Sequence, residues 1–405
     1  MTGKNKMPNT KKRKILFIGE HLTPSHSQRP LQLAECLMKN NSGYEVELAL
    51  SELPRIHHSD LTIHQLYSPE ADILEKRVRR VLSPLYTKRD IAKMVKADLH
   101  LIDKVQPDLI IHDFRNTIAI AAQVKKVPVV SLNDFYWNRN YQDKGIIPDT
   151  PLSKILGYKL ARILGKPIAP AIDKLHVGQF NAIAKQYGVK AFKNLRDLYN
   201  FGQEQWLFDI PAMLPSTDEK TKFIGPLTWE SEEKVPAWLG GLEDKSAICI
   251  TFTSSGNQDL VEKIIQQVKT FNRSIIVLTA GKYHLPPEEN VHIASLIPLK
   301  KVLQKSQLLI TTGGSSMVYH ALREAVPVIG IPQNITHWYS MVRFSELEIG
   351  TLVPPESVSG QRFKQVLTKS INDNDYAERN EKFRNQLQAY NPKERLDSLC
   401  QGILK

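Results

Sequence analysis

Gln307 to Met341 reads QLLITTGGSSMVYHALREAVPVIGIPQNITHWYSM. An apolar, β-rich run (Leu308, Leu309, Ile310) stops at Thr311-Thr312-Gly313-Gly314-Ser315-Ser316, and a helix-forming stretch, Met317 to Ala325, follows at once. A second apolar strand, Val326 to Pro332, comes next, and then a polar loop. Where a strand feeds a glycine-and-hydroxyl turn at a helix start, bare N–H groups and the positive end of the helix dipole converge on one spot. Glycine lets the backbone approach that spot closely. The expected occupant is a phosphate or diphosphate. A lone Gly-Gly can equally be a tight strand-to-helix turn and nothing more. Here the turn comes with five small hydroxyl residues, Thr311, Thr312, Ser315, Ser316 and, across the next strand, Thr336. No Lys stands at the turn, which excludes a P-loop.

This stretch resembles the sugar-donor signature of GT-B glycosyltransferases of the UDP-glycosyltransferase superfamily, H-G-G-x-G-T-x-x-E-A-L-x-x-G-V-P followed by P and then D-Q. Gly313, Gly314, Ala321, Leu322, Val326, Pro327 and Pro332 stand in register. Thr312 replaces the usual His, His320 the usual Glu, and Thr336-His337 the Asp-Gln pair that grips sugar hydroxyls. The resemblance implies an α/β chain with two facing Rossmann-like domains and a cleft between them. It also makes Thr312, Gly313, Gly314, Ser315, Ser316, Thr336 and His337 ligands of a nucleotide sugar.

The first half extends the likeness. Lys14 to Gly19 reads as a buried strand, Glu20 to Pro30 as a loop, Leu31 to Lys39 as a helix and Tyr44 to Ala49 as a second strand. Ser25-His26-Ser27-Gln28-Arg29, with Leu33-Ala34 beyond, is similar to the family's G-H-x-x-(P/R) loop. By itself His26 would read as a loop or capping histidine; the register with Leu33-Ala34 places it on the family's catalytic base. The strand Pro107 to Asp113 ends in a carboxylate. Carboxyl ends of parallel strands face the ligand crevice, so Asp113 is expected to open onto it; the resemblance gives it the task of orienting His26. Asp108 reads as a surface residue at the strand entry, and His112 as a packed histidine on the face opposite Asp113. Asn133-Asp134-Phe135-Tyr136-Trp137, Asn181 to Arg196 with its Leu195-Arg196-Asp197-Leu198, and Phe223 to Trp229 are similar to a bacterial subgroup with links to natural-product and glycolipid pathways.

In the second half, Ala247 to Gly256 is similar to the family's strand ending F-G-S-S-G, which makes Thr253, Ser254 and Ser255 ligands of the diphosphate from the side opposite Gly314. Val291 to Pro298 corresponds to a strand beside the nucleobase, with Ile297 offering backbone groups to it. The domain scheme is a basic tail over 1–14, an acceptor domain over 15–225, a nucleotide-sugar domain over 226–385, and a helix over 386–405 crossing back to the first domain.

Composition fits an enzyme of ordinary globular type. The chain has 405 residues, no apolar run of the roughly eighteen residues a spanning helix needs, and a basic N-terminus without the apolar core of a signal peptide. Its three cysteines, Cys36, Cys249 and Cys400, lie far apart, without metal or redox spacing. A cytoplasmic place is expected, or a peripheral one at the inner membrane face. The net charge is +12, and residues 1–14 hold six basic residues and no acid, leaving 12 − 6 = +6 for the rest. Residues 75–98 carry eight Lys and Arg against three acids. Residues 154–174 interleave Lys154, Lys159, Arg162, Lys166 and Lys174 with apolar residues; this stretch is either a packed helix with a lysine face or an amphipathic helix docking on anionic lipid. No nucleic-acid module accompanies the charge.

The function these readings imply is an inverting, metal-independent hexosyltransferase. It would move sugar from a UDP- or dTDP-linked donor to a hydroxyl of a small-molecule or lipid acceptor. No cofactor is expected beyond the co-substrate, and no metal. Two alternatives stay open: a non-catalytic nucleotide-sugar binder, and a nucleotide-sugar epimerase of the same fold.

Overall fold

The computed structural model describes residues 12–40, 43–52, 60–78, 84–141, 169–228, 231–252 and 258–405. Two sheets organise them. The first contains β1 (Lys14–Gly19), β2 (Glu45–Leu50), β3 (Thr62–Gln65), β4 (Leu109–Asp113), β5 (Val129–Asn133), β6 (Glu204–Leu207) and β7 (Thr221–Phe223), in the order β3-β2-β1-β4-β5-β6-β7. The second contains β8 (Ala247–Thr251), β9 (Ile275–Leu278), β10 (Val291–Ala294), β11 (Ser306–Thr311), β12 (Val328–Gly330) and β13 (Thr351–Leu352), in the order β10-β9-β8-β11-β12-β13. Neighbouring strands pair in parallel in both sheets. The central strands β1, β4, β5 and β8 are buried at nearly every position, as strands covered by helices on both faces must be.

Strand order reverses between β1 and β4 in the first sheet and between β8 and β11 in the second. Loops leaving adjacent strands at such a point diverge to opposite faces and open a crevice. The segment after β1 carries His26, β4 ends at Asp113, and β11 leads into Gly313 and Gly314. Both candidate centres therefore sit at switch points. The short strands β3, β6, β7 and β13 have no counterpart in the sequence reading; they are two to four residues long, too short for a period to show.

One expectation fails. The stretch after β1 is not a loop as far as Pro30: a helix runs over Pro24–Lys39, with Pro24 in its first turn and Pro30 inside it. Proline at a helix start has its φ preset and loses no bond, so Pro24 begins the helix rather than preventing it. Pro30 has no N–H for the carbonyl of His26, four residues earlier. That carbonyl turns to Gly19, where an added Cβ would lie 2.5 Å from the His26 oxygen. The bare Gly19 is what lets this helix start rest directly on the end of β1.

A single apolar cluster joins the two sheets. It contains Phe135, Tyr136, Leu207, Ile210 and Met213 from the first and Val318, Tyr319, Trp338, Tyr339 and Met341 from the second. Arg343 adds hydrogen bonds to the carbonyls of Met213 (3.0 Å) and Ala212 (2.6 Å). The last helix, Pro392–Leu404, packs Leu396 and Cys400 into the core of β1 and the Pro24–Lys39 helix, and Arg395 donates to the Phe223 carbonyl at 3.0 Å. Among the described residues no helix is long and apolar enough to cross a membrane.

Gly19→Ala should therefore cost about 1–3 kcal/mol, the usual penalty of overpacking. It should also push the His26 ring away from its place. A denaturant melt indistinguishable from the parent would show that the close approach at Gly19 is not a constraint.

Candidate active site

Gly19 and Asp113 are paired neighbours across β1 and β4. A helix start resting on Gly19 therefore brings its third residue over Asp113. The His26 Nδ1 lies 2.6 Å from Asp113 Oδ1. Asp113 is 1% exposed and the His26 side chain 13%, so the carboxylate is sealed while the ring keeps an open edge. A carboxylate can only accept, so Nδ1 carries the proton, and Nε2 is left as the basic nitrogen. Phe114 stacks on the ring with centroids 4.7 Å apart. To do so it takes a left-handed backbone, φ 58°, a conformation that costs a bulky residue about 1–3 kcal/mol.

The turn after β11 is the second candidate centre. Gly313 has φ 85°, and an added Cβ would lie 2.2 Å from Met341 Cγ, so glycine is required there. Gly314 precedes the helix Ser315–Arg323 as its cap and offers it no side-chain hydrogen bond. The first N–H groups of a helix have no partner within it. Four other helices among those described do have side-chain caps, from Thr87, Asn194, Asn334 and Asn391. The Ser315 helix thus has the open, positive end that an anion needs. Ser315 is buried and Ser316 exposed, and Thr312 is buried beneath the turn.

His337, on the helix Ile335–Glu346, lies 3.8 Å from the position of a Cβ on Gly314. Burial lowers it to about 4, so it is a neutral imidazole beside the turn. Thr336 donates its hydroxyl to Asn334 Oδ1 at 2.8 Å. Ile297 is buried in the cluster between the sheets. Thr253, Ser254 and Ser255 lie outside the described residues, as do 154–168 of the basic stretch; residues 169–174 open the helix Ala169–Gln186. His112 bonds Ser131 at 3.2 Å and is lowered to about 3 by burial, a packed histidine. Asp108 accepts from the backbone of Lys14 at 2.8 Å.

The structure adds residues to which the sequence reading gave no role. Asp134 follows β5, and Asp209 follows β6 by two positions. Asp134 takes both guanidinium nitrogens of Arg29, at 3.1 and 2.8 Å, and the Ser315 hydroxyl at 3.3 Å. Asp209 accepts from the Phe135 N–H at 2.7 Å and the Tyr319 hydroxyl at 2.6 Å. The rule that singled out Asp113, a carboxylate at the carboxyl end of a parallel strand, applies equally to these two.

Comparison with known proteins bears on the fold. Residues 262–400 match the family described as Erythromycin biosynthesis protein CIII-like, C-terminal domain. The PGL/p-HBAD biosynthesis rhamnosyltransferase of Mycobacterium bovis (strain BCG / Pasteur 1173P2) is 26% identical over 381 residues, 90% of this chain and 82% of the relative. A PGL/p-HBAD biosynthesis glycosyltransferase of Mycobacterium tuberculosis (strain ATCC 25177 / H37Ra) is 27% identical over 378 residues, 89% and 86% of the two chains. Among solved structures, the calicheamicin glycosyltransferase CalG4 matches with a TM-score of 0.73 at 17% identity, over 97% of this chain and 98% of that one. The spinosyn rhamnosyltransferase SpnG matches with a TM-score of 0.70 at 13% identity, over 96% and 100%. The architecture is that of the GT-B enzymes. The chain is a glycosyltransferase with this fold, and its residues 262–400 resemble the EryCIII-like C-terminal domain.

The Asp209 contact has a pH signature. Burial, then the charge of Asp134, raises its carboxyl from 3.8 to about 7. A raised folded value means the folded state holds the proton more tightly, so this stabilisation is complete below 3.8 and is lost as pH rises through about 7. The stability of the parent relative to Asp209→Asn should fall across that window. A flat difference in thermal melts would contradict it.

Proposed function

We propose that the chain is an inverting, metal-independent transferase. It passes a hexose from a nucleoside-diphosphate sugar, UDP- or dTDP-linked, to a hydroxyl of a lipid or natural-product acceptor. The observation that carries this reading is the His26–Asp113 pair at 2.6 Å, linked through Arg29 and Asp134 to Ser315 at an uncapped helix start. Nε2 of His26 takes the proton from the acceptor hydroxyl as its oxygen attacks the anomeric carbon. Asp113 holds the ring in that tautomer and stabilises the imidazolium, as the carboxylate of a catalytic triad does. Attack from the side opposite the diphosphate inverts the anomeric centre. The charge that develops on the leaving diphosphate meets the N–H groups at Gly314 to Ser316, and fixed dipoles aimed at such charge need no reorganisation. On this reading an ion is not needed for departure, and activity should survive a chelator.

The sugar is proposed to be a deoxyhexose. Relatives along most of the chain are named rhamnosyltransferases. At the position of the family's Asp-Gln pair stand a hydroxyl already bonded to Asn334 and a neutral, buried His337. Such a face has fewer groups for a fully hydroxylated ring. The acceptor is proposed to be a hydroxyl of a glycolipid or of an aglycone, the latter as in the aglycone-bound spinosyn enzyme. A complex of that enzyme with thymidine diphosphate favours dTDP over UDP as the carrier.

Three measurements test this. His26→Ala should cut turnover by on the order of a hundredfold or more, the usual worth of a positioned base, with the affinity for the sugar donor nearly unchanged. Asp113→Asn should show a smaller loss of the same kind. Transfer at the parent rate by both variants would remove the base assignment. Gly314→Asp should separate stability from binding. The position has room for a Cβ, with only His337 at 3.8 Å, and Asp is a good helix cap. The variant should melt no lower than the parent yet lose nucleotide binding, because the new carboxylate occupies the anion's place. A thermal-shift panel of UDP-, dTDP- and GDP-sugars reads out the carrier, since a ligand of the folded state raises stability with its occupancy.

A further inference from the structure

We propose that Asp134 is an internal stand-in for the donor's diphosphate, and that Arg29, held in reserve by Asp134, is a ligand for that diphosphate supplied from the acceptor side of the cleft. This rests on the reading that a nucleoside diphosphate binds at the start of the Ser315–Arg323 helix.

Asp134 is buried and accepts from three residues. Arg29 gives it two bonds, at 3.1 and 2.8 Å, and Tyr136 a third from its hydroxyl at 3.1 Å. Ser315, the first residue of the uncapped helix, gives the fourth, at 3.3 Å. A carboxylate of the first half of the chain thus occupies the mouth of the anion cradle of the second. A forked guanidinium and a helix-start hydroxyl recognise phosphate oxygens as well as carboxylate oxygens. Two anions cannot share these groups, because like charges at such separations repel strongly in a site shielded from water. An arriving diphosphate must therefore take the Ser315 hydroxyl from Asp134 and draw on Arg29.

Arg29 is placed for the exchange. Its guanidinium lies 4.5 Å from the Phe208 ring centroid, which holds it by a contact that does not depend on Asp134. A second carboxylate oxygen, Asp113 Oδ2, stands 3.9 Å from it and has no hydrogen-bond partner of its own. Before any ligand binds, two aspartates face one arginine. The diphosphate adds more negative charge, and Arg29 is a full positive charge within reach of both Asp113 and Asp134.

The test is calorimetric titration of UDP and of dTDP into the full-length parent, Asp134→Asn, and the double variant Arg29→Gln/Asp134→Asn. Asn keeps the size and accepts hydrogen bonds, but removes the charge and frees the guanidinium. Asp134→Asn should bind the better nucleotide about tenfold tighter or more, the scale on which removing a close like charge acts. The double variant should lose that gain. Unchanged or weaker binding by Asp134→Asn overturns the stand-in, and a double variant as tight as the single overturns the role of Arg29. Gly314→Asp in the same titrations separates this from failure of the underlying reading. Lost binding there with no gain in Asp134→Asn sinks the stand-in alone; parent-like binding in both removes the nucleotide site itself. Should Asp134→Asn not fold, Asp134→Ser removes the same charge with a smaller side chain that still accepts a hydrogen bond. It should bind nucleotide several-fold tighter, and parent-like affinity would again overturn the proposal.

Discussion

The site depends on an approach between backbones: the His26 carbonyl set against the Cα of Gly19. Three separate facts of sequence are needed for it. Pro30 has no N–H, so the His26 carbonyl is not consumed within the helix. Gly19 has no Cβ, so the carbonyl can come down onto β1, where an added Cβ would lie 2.5 Å from it. Gly19 is also the strand neighbour of Asp113, so a helix that settles there brings its ring to that carboxylate. Alter any one and the helix start must rise or slide. A hydrogen bond of 2.6 Å between groups 87 residues apart does not tolerate such a shift.

From that contact the rest of the cleft follows by charge. Three adjacent strands, β4, β5 and β6, bring Asp113, Asp134 and Asp209 to one edge of the first sheet. Three ionised carboxylates with one guanidinium could not be buried together at a tolerable cost. The structure resolves this by giving each a different answer. Asp113 accepts the Nδ1–H of His26, Asp134 binds Arg29 through its two terminal nitrogens, and Asp209 is raised by burial and by Asp134 until it holds its proton near neutrality. The Tyr319 hydroxyl that reaches Asp209 comes from the same helix whose first residue reaches Asp134. The two sheets are thus joined by polar bonds at the reacting edge and by the aromatic cluster of Tyr136, Trp137 and Tyr339 beside it.

How much of this was legible depended on whether a signal was local. The central strands and the Gly313-Gly314 turn announce themselves within a few residues, because burial on both faces and a left-handed glycine leave marks in the sequence itself. The pairing of His26 with Asp113 was legible only through resemblance, since nothing in either segment encodes their distance. Pro30 misled the reading of the first helix: proline ordinarily ends a helix, and here its missing bond is used by the packing against Gly19. Asp134 and Asp209 could have been found by the strand-end rule that found Asp113. The strand before Asp209, β6, is four residues long and was not recognised, so its end was not available as a marker. Asp134 was seen as part of a signature, but its partners Arg29 and Ser315 lie 105 residues before it and 181 after it. No periodicity joins them.

Phe114 shows why a costly buried network elsewhere belongs to the same design. Its left-handed backbone is unfavourable by itself and has to be imposed by what flanks it. On one side is Asp113, the last residue of β4, locked in the sheet. On the other is Arg115, fully buried and held by Glu20 at 2.8 Å and by Asp98 at 3.0 Å. Burial alone would raise the Glu20 carboxyl, but Arg115 and the bonds from His21 and Ser51 outweigh it and bring it down to about 2. A buried ion triad of this kind contributes little net stability compared with apolar packing of the same volume. What it does supply is position. With both neighbours fixed, Phe114 has nowhere to relax, and its ring stays stacked on His26 while the opposite edge of the imidazole faces the cleft. Glu20, moreover, is the residue next to Gly19, and its N–H lies 3.3 Å from the Asp113 carbonyl. The charged network and the backbone contact at Gly19 therefore act on the same few residues from two sides, one setting the floor beneath the histidine and the other setting its height.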